Sequence, residues 1–355
     1  MRTLRPIALF AASLMLAQAA LAQTPPAADN KPAAKKEAPK EKKAPAAATK
    51  PPAATPKAAA TPAPAPSATP VPTVFDDPNV DVVYGAYQRG MYKTAFDLAM
   101  NRAQYNGDPK AMTMLGELYA NAMGVKRDYA RAAEWYRRAA DAGDREAMFA
   151  LAMLRMAGRG GPVDKGEAVK LMASAAKLGE PKAAYNLALL YLDGQTLPQD
   201  VKRSAELLRQ AADAGLPEAQ YALATFYKEG TGVPKDPERS VRLLQAATLA
   251  DNVDAEVEYA IAMFNGTGTP KNQPAAVALL RKASRQGSAI AQNRLAWVLI
   301  NGMGTQVDKV EGFKWHLVAK SSGKGDPELD KQFSDLPAED RAKAEAAAKR
   351  FLGNK

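Results

Sequence analysis

The sequence predicts an all-α protein, an α-solenoid in which helix–turn–helix repeats wind as a right-handed superhelix. Three observations carry this. From Asp108 to Gly323 the chain divides into six blocks of 36 residues, 108–143, 144–179, 180–215, 216–251, 252–287 and 288–323, with no insertion or deletion. Inside each block, apolar and small residues recur at helical spacing in two stretches. Between them lies a Gly- and Pro-rich loop that ends in Asp or Asn. No block buries its apolar faces alone, so neighbours must stack and share a core.

Two segments precede the repeats. Residues 1–22 read as a secretory signal, with Arg2 and Arg5 as the basic start, an apolar run from Ile7 to Ala19, and Ala20-Leu21-Ala22 as an A-x-A cleavage site. Cleavage after Ala22 yields a periplasmic or secreted protein; the alternative is an uncleaved inner-membrane anchor. Residues 23–75 hold 13 of the chain's 26 prolines, with eight lysines against three acids. Large apolar residues are almost absent there, so nothing offsets the entropy of ordering, and the segment reads as a disordered linker. Residues 76–107 then suggest a capping pair of helices joined tightly at Gly90.

Within the repeats, one column reads Ala111, Ala147, Ala183, Ala219, Ala255, Ala291, and the next Leu115, Leu151, Leu187, Leu223, Tyr259, Leu295. Beside these runs Gly116, Ala152, Ala188, Ala224, Ala260, Ala296, where a small side chain lets two backbones approach. Pro109, Pro181 and Pro217 stand at the start of the first helix, helix A, where a missing N–H costs nothing. Asp128, Asp164, Asp200, Asp236, Asn272 and Asp308 precede the second helix, helix B, and read as its N-caps. Every block closes on Gly, or on Asp251 in the fourth, the residue expected to turn left-handed after helix B. After Gly323 the period stops; residues 324–355 suggest a short helix from Pro327 and a longer polar one from Pro337, capping the last repeat.

Charge and composition exclude several functions. The chain carries +10 overall, but most of it belongs to the signal and linker, and residues 76–355 hold 38 basic against 35 acidic side chains. A folded region this close to neutral is not a nucleic-acid binder. The basic linker suits weak contact with an anionic membrane or cell wall. There is no cysteine, hence no disulfide, thiolate site, cysteine nucleophile or lipid-bearing cysteine.

The blocks AMTMLGELYANAMGVKRDYARAAEWYRRAADAG (111–143) and AQYALATFYKEGTGVPKD (219–236) resemble the Sel-one-like repeat (SLR) family, relatives of the tetratricopeptide repeats. The resemblance covers about 216 residues. It departs at Arg155 and Met263, where tyrosine is usual, and at residues 195–200, which lack the second loop glycine. What it implies is a non-catalytic adaptor in the cell envelope, in some members regulatory, holding a protein or peptide partner on a concave helical surface. Some members are described as binding β-lactam or peptidoglycan-like ligands, so an envelope enzyme or binder of that kind is the alternative.

The residues themselves offer little chemistry. Ser174…Lys177 and Ser321…Lys324 match S-x-x-K, but no S-D-N or K-T-G accompanies them. No phosphate loop, metal-ligand spacing or cofactor motif is present. By analogy with tetratricopeptide geometry helix A lines the concave side, which makes Phe149, Tyr185, Tyr221, Met153, Leu189 and Trp297 candidates for partner binding. Either they form that surface or a tightly wound superhelix buries them. The single histidine, His316, follows Trp315 and shares a column with Tyr136, Met172, Leu208, Leu244 and Leu280. It reads as a structural, hydrogen-bonded core residue beside the C-terminal cap.

Overall fold

In the computed structural model of this chain, residues 81–353 are described. The signal (1–22), the linker (23–75), residues 76–80 of the N-terminal segment and the last two residues lie outside them. The described residues hold sixteen helices and no strand. The first pair is α1 (Val82–Gln88) and α2 (Tyr92–Asn106). The A helices are α3 (Pro109–Asn121), α5 (Arg145–Ala157), α7 (Pro181–Asp193), α9 (Pro217–Glu229), α11 (Val253–Asn265) and α13 (Ala289–Ile300). The B helices are α4 (Tyr129–Asp141), α6 (Lys165–Lys177), α8 (Val201–Asp213), α10 (Pro237–Leu249), α12 (Gln273–Arg285) and α14 (Lys309–Ser321). Two helices close the chain, α15 (Pro327–Ser334) and α16 (Ala338–Gly353).

Each B helix begins the same way. Asp128, Asp164, Asp200, Asp236, Asn272 and Asp308 each accept the backbone N–H three residues on, at 2.8–3.1 Å. Each of these residues also donates its own N–H backward, to the carbonyl of Tyr119, Arg155, Tyr191, Tyr227, Met263 or Leu299 near the end of helix A. One residue therefore caps helix B and fastens the loop to helix A. Five A helices carry caps of their own, from Asp108, Asp144, Glu180, Asn252 and Ser288; Leu216, before α9, supplies none.

Helix A is followed by a left-handed residue, glycine directly after α5, α7, α9 and α11 and, beyond Asn301, Gly302 after α13. After α3 that place falls to Ala122, at φ 58°, where a Cβ costs about 1 kcal/mol relative to glycine. The loop's second glycine has a different reason. A Cβ on Gly160 would lie 2.1 Å from the Tyr129 carbonyl oxygen at the start of the previous B helix, and Gly232 and Gly268 meet Val201 and Pro237 in the same way. Repeat three has Thr196 there without a positive φ, so its loop takes another path.

Packing follows chain order from α1 to α14, each helix lying on its neighbours, while α16 passes over α15 to lie on α14. The alanine column of helix A and the column Ala139, Ala175, Ala211, Ala247, Ala283, Ala319 of helix B are buried throughout. Small residues at these contacts let the helices close up, and the surrounding Leu, Val and aromatic side chains form the core. At the C-terminal end α16 packs on α14, with the Trp315 and Phe351 rings 5.0 Å apart and edge-on. Phe333 of α15 meets Phe313 at 5.3 Å.

Candidate partner-binding face

Successive A helices present side chains to a common face. Near its N-terminal end, Thr113 and Glu117 of α3, Arg145, Glu146 and Phe149 of α5, and Lys182 of α7 line an open cavity of about 500 Å³. Thr113 Oγ1 donates to Asp144 Oδ1 at 3.0 Å, tying α3 to the cap of α5. Arg145 is committed to the end of α6, donating to the carbonyls of Leu178 and Gly179 at 3.2 and 3.1 Å. This cavity is charged in both senses.

Toward the other end, α11 and α13 enclose a cleft of about 330 Å³. Its walls are Ile261, Phe264, Trp297 and Met303; its floor reaches the buried Leu280 and Val298; its rim holds Asn265 and Arg294. Trp297 is fixed in place because its Nε1–H donates to Asp326 Oδ2 at 2.9 Å. Burial opposes ionisation of Asp326, but that bond, with two from the backbone N–H groups of Leu329 and Glu328, outweighs it and holds the carboxyl below its usual range. A smaller cleft of about 110 Å³ adjoins this one through Ile261 and Asn265, with the Lys228–Glu258 ion pair (2.6 Å) at its mouth.

The six candidate residues divide by repeat. Phe149 is half-buried at the first cavity, and Met153 beside it is 38% exposed. Tyr185 and Leu189 are buried, at 6% and 5%, in the apolar α7. Tyr221 is half-buried and packs on the cluster of Ala224, Leu244, Ala247 and Ala255. Trp297 forms the wall of the second cleft. The A-helix face is thus open in repeat two and from repeat four onward, and packed in repeat three. Burial raises the phenol pKa of both tyrosines first; Glu218 and Tyr221 add to it for Tyr185, and Asp254, Glu258 and Glu229 for Tyr221. Asp254, Glu258 and Glu229 act on Tyr221 from two helices, α9 and α11, so the column reading missed them.

The structural residues sit elsewhere. The five aspartates occupy the B-helix caps. His316 is fully buried, and its Nε2 lies 2.8 Å from Asp330 Oδ1, which also takes a bond from Lys320 Nζ at 2.7 Å. Lys320 first and His316 second hold the Asp330 carboxyl below its usual range. Among the described residues no three His, Asp or Glu side chains form a metal-binding group, and no helix is long and apolar enough to cross a membrane.

The Sel1 repeat profile matches residues 109–144, 145–180, 181–216, 217–252, 253–288 and 289–324. The chain belongs to the Sel1 repeat family. These Sel1 frames begin one residue after Asp108, so each takes in the cap of the following helix A. Among solved structures the chain is similar to a Sel1 repeat protein from Oxalobacter formigenes, with 25% identity over 67% of this chain and 94% of that one and a TM-score of 0.58. It is also similar to a protective antigen of uropathogenic Escherichia coli with an SLR fold, at 22% identity, 74% and 64% coverage and a TM-score of 0.49. An immunity protein from Pseudomonas aeruginosa matches at 21% identity, 60% and 81% coverage and a TM-score of 0.37. A comparison with curated proteins finds no match. Sel1 repeat proteins generally mediate protein–protein interaction and are typically non-catalytic scaffolds.

Proposed function

We propose that this Sel1 repeat chain is an exported, non-catalytic scaffold that holds a protein partner of the cell envelope on its A-helix face. The observation that carries it is the open apolar cleft walled by Ile261, Phe264 and Trp297. An apolar recess left in contact with water is the usual mark of a partner or ligand site. The export reading rests on Arg2, Arg5, the apolar run to Ala19 and the A-x-A site.

The test is co-precipitation from envelope extracts with the full chain as bait. Saturable capture of one protein, weakened in Trp297→Ala, supports the scaffold. Capture of no protein, together with turnover of a cell-wall substrate or sedimentation with purified peptidoglycan, overturns it in favour of the glycan or β-lactam reading. The mature N-terminus, read by mass spectrometry after cell fractionation, is expected at Gln23 in the periplasmic or secreted fraction. An intact Met1 in the membrane fraction would replace export with anchoring.

A further inference from the structure

The α11–α13 cleft lies beside an acidic stretch of the same face. Glu218 and Glu229 stand on α9 with Tyr221, and Asp254 and Glu258 on α11, Asp254 at the register position of Glu218; Lys228 of α9 pairs with Glu258 at 2.6 Å. On the far rim of the cleft stands Arg294, which occupies in α13 the position Glu258 occupies in α11. The face therefore runs from acidic, through apolar, to a side that holds both Arg294 and the Asp326 carboxylate bonded to Trp297. An apolar cleft flanked by net negative charge on one side alone selects an occupant that puts its cation on that side.

We infer that this stretch docks an extended peptide segment of a protein partner, with one bulky apolar side chain in the Ile261–Phe264–Trp297–Met303 cleft and a lysine or arginine over Tyr221 and its carboxylates. The inference rests on the scaffold reading and names the chemistry of its partner. The aromatic ring adds to the carboxylates, since a cation over a tyrosine face gains from the ring as well. Neighbouring helices pack about 8–10 Å apart and an extended chain advances about 3.3 Å per residue. Tyr221 stands on α9 and the cleft lies between α11 and α13, about one and a half helix spacings on, so the basic and apolar residues are about four positions apart; a basic residue on the other side of the anchor meets Arg294 instead of the acids.

A phage-displayed library of linear dodecapeptides, panned against the full chain, tests this. Enriched peptides are expected to share a Lys or Arg about four positions from a Leu, Phe or Trp, always on the same side. Affinity is expected to fall about tenfold in Trp297→Ala or Met303→Ala, and by a similar factor in Glu258→Lys or Asp254→Lys, with further weakening as salt is raised. The two charge reversals lie at the surface, so they keep the test valid if a cleft variant unfolds. Enrichment of acidic peptides, or of peptides whose binding depends on Phe149 and on none of these four positions, overturns the inference and leaves the scaffold reading in place. So does a self-associating chain whose dimer Glu258→Lys dissolves, which would make a second copy the occupant. Enrichment of no peptide overturns it as well, with co-precipitation still deciding the wider reading.

Discussion

At the residue scale, one buried side chain in the second half of the solenoid dictates behaviour. Gln220 and Gln292 each donate a side-chain N–H to a carbonyl near the end of the preceding B helix, Ala212 at 3.3 Å and Ser284 at 3.1 Å. The residue between them in register is Glu256, fully buried, whose equivalent acceptor is the Thr248 carbonyl. A carboxylate has nothing to donate, and neither oxygen of Glu256 has a hydrogen-bond partner. Lys282 Nζ, 3.3 Å from Oε2, forms an ion pair and also binds Asp251. Burial raises the Glu256 pKa above its ordinary 4.5, with Asp251 adding to it and Lys282 and Arg285 opposing. The folded state therefore holds this proton more tightly than the unfolded chain does. Its contribution to stability is fully present below about pH 4.5 and is lost as pH rises through the folded-state value. Glu256→Gln restores the donor without the charge. Chemical denaturation is expected to show variant and parent closely matched near pH 4, and the variant ahead by about 1 kcal/mol at pH 7–8. An advantage independent of pH, or a variant less stable at pH 7, would refute this account.

At the element scale, each repeat tunes one helix–helix contact with a matched pair of residues. In repeat one the small column of helix A holds Gly116 because Tyr136 of α4 lies over it; a Cβ there would sit 2.5 Å from the Tyr136 ring. In the other repeats the small column is alanine, and the register position of Tyr136 holds Met172, Leu208, Leu244, Leu280 or His316. Gly116→Ala is expected to cost about 1–3 kcal/mol through overpacking, and Tyr136→Leu to return most of it. In a double-mutant cycle read by thermal unfolding, additive effects would contradict the pairing. Elements of this kind were legible in the sequence because the repeat makes every column its own control. The A and B helices, the caps and the core register of His316 all follow from column identity. What lies off the register was not legible. Asp330 bonds His316 from the aperiodic C-terminal segment, and the acids near Tyr221 come from two helices. Column identity also could not say which A-helix candidates are covered: Tyr185 and Leu189 are packed while Trp297 borders an open cleft.

At the scale of the whole molecule, stacking makes stability a sum of repeat and nearest-neighbour terms, so the ends matter most. Interior repeats bury both sides against copies of themselves, whereas repeat six has a copy on one side alone. Its other side is covered by α15 and α16. Phe313, Trp315 and Val318 of α14 are at most 3% exposed, and they share one core cluster with Leu329, Leu336, Ala344 and Ala348 of the terminal segment. Deleting residues 325–355 uncovers that side and removes Asp330 from the fully buried His316. Each large apolar side chain returned to water costs about 1.5–3 kcal/mol, so exposing these three removes about 5–9 kcal/mol of burial from repeat six. Because coupling runs between neighbours, the loss is local. Hydrogen exchange of the truncated chain is expected to show α13 and α14 deprotected and α3 to α8 unchanged. The α11–α13 cleft would open with them, since Trp297 loses Asp326, so peptide binding at that cleft should disappear while the cavity at Phe149 keeps its shape. Uniform loss of protection along all six repeats would instead mean that the solenoid folds as a single cooperative unit.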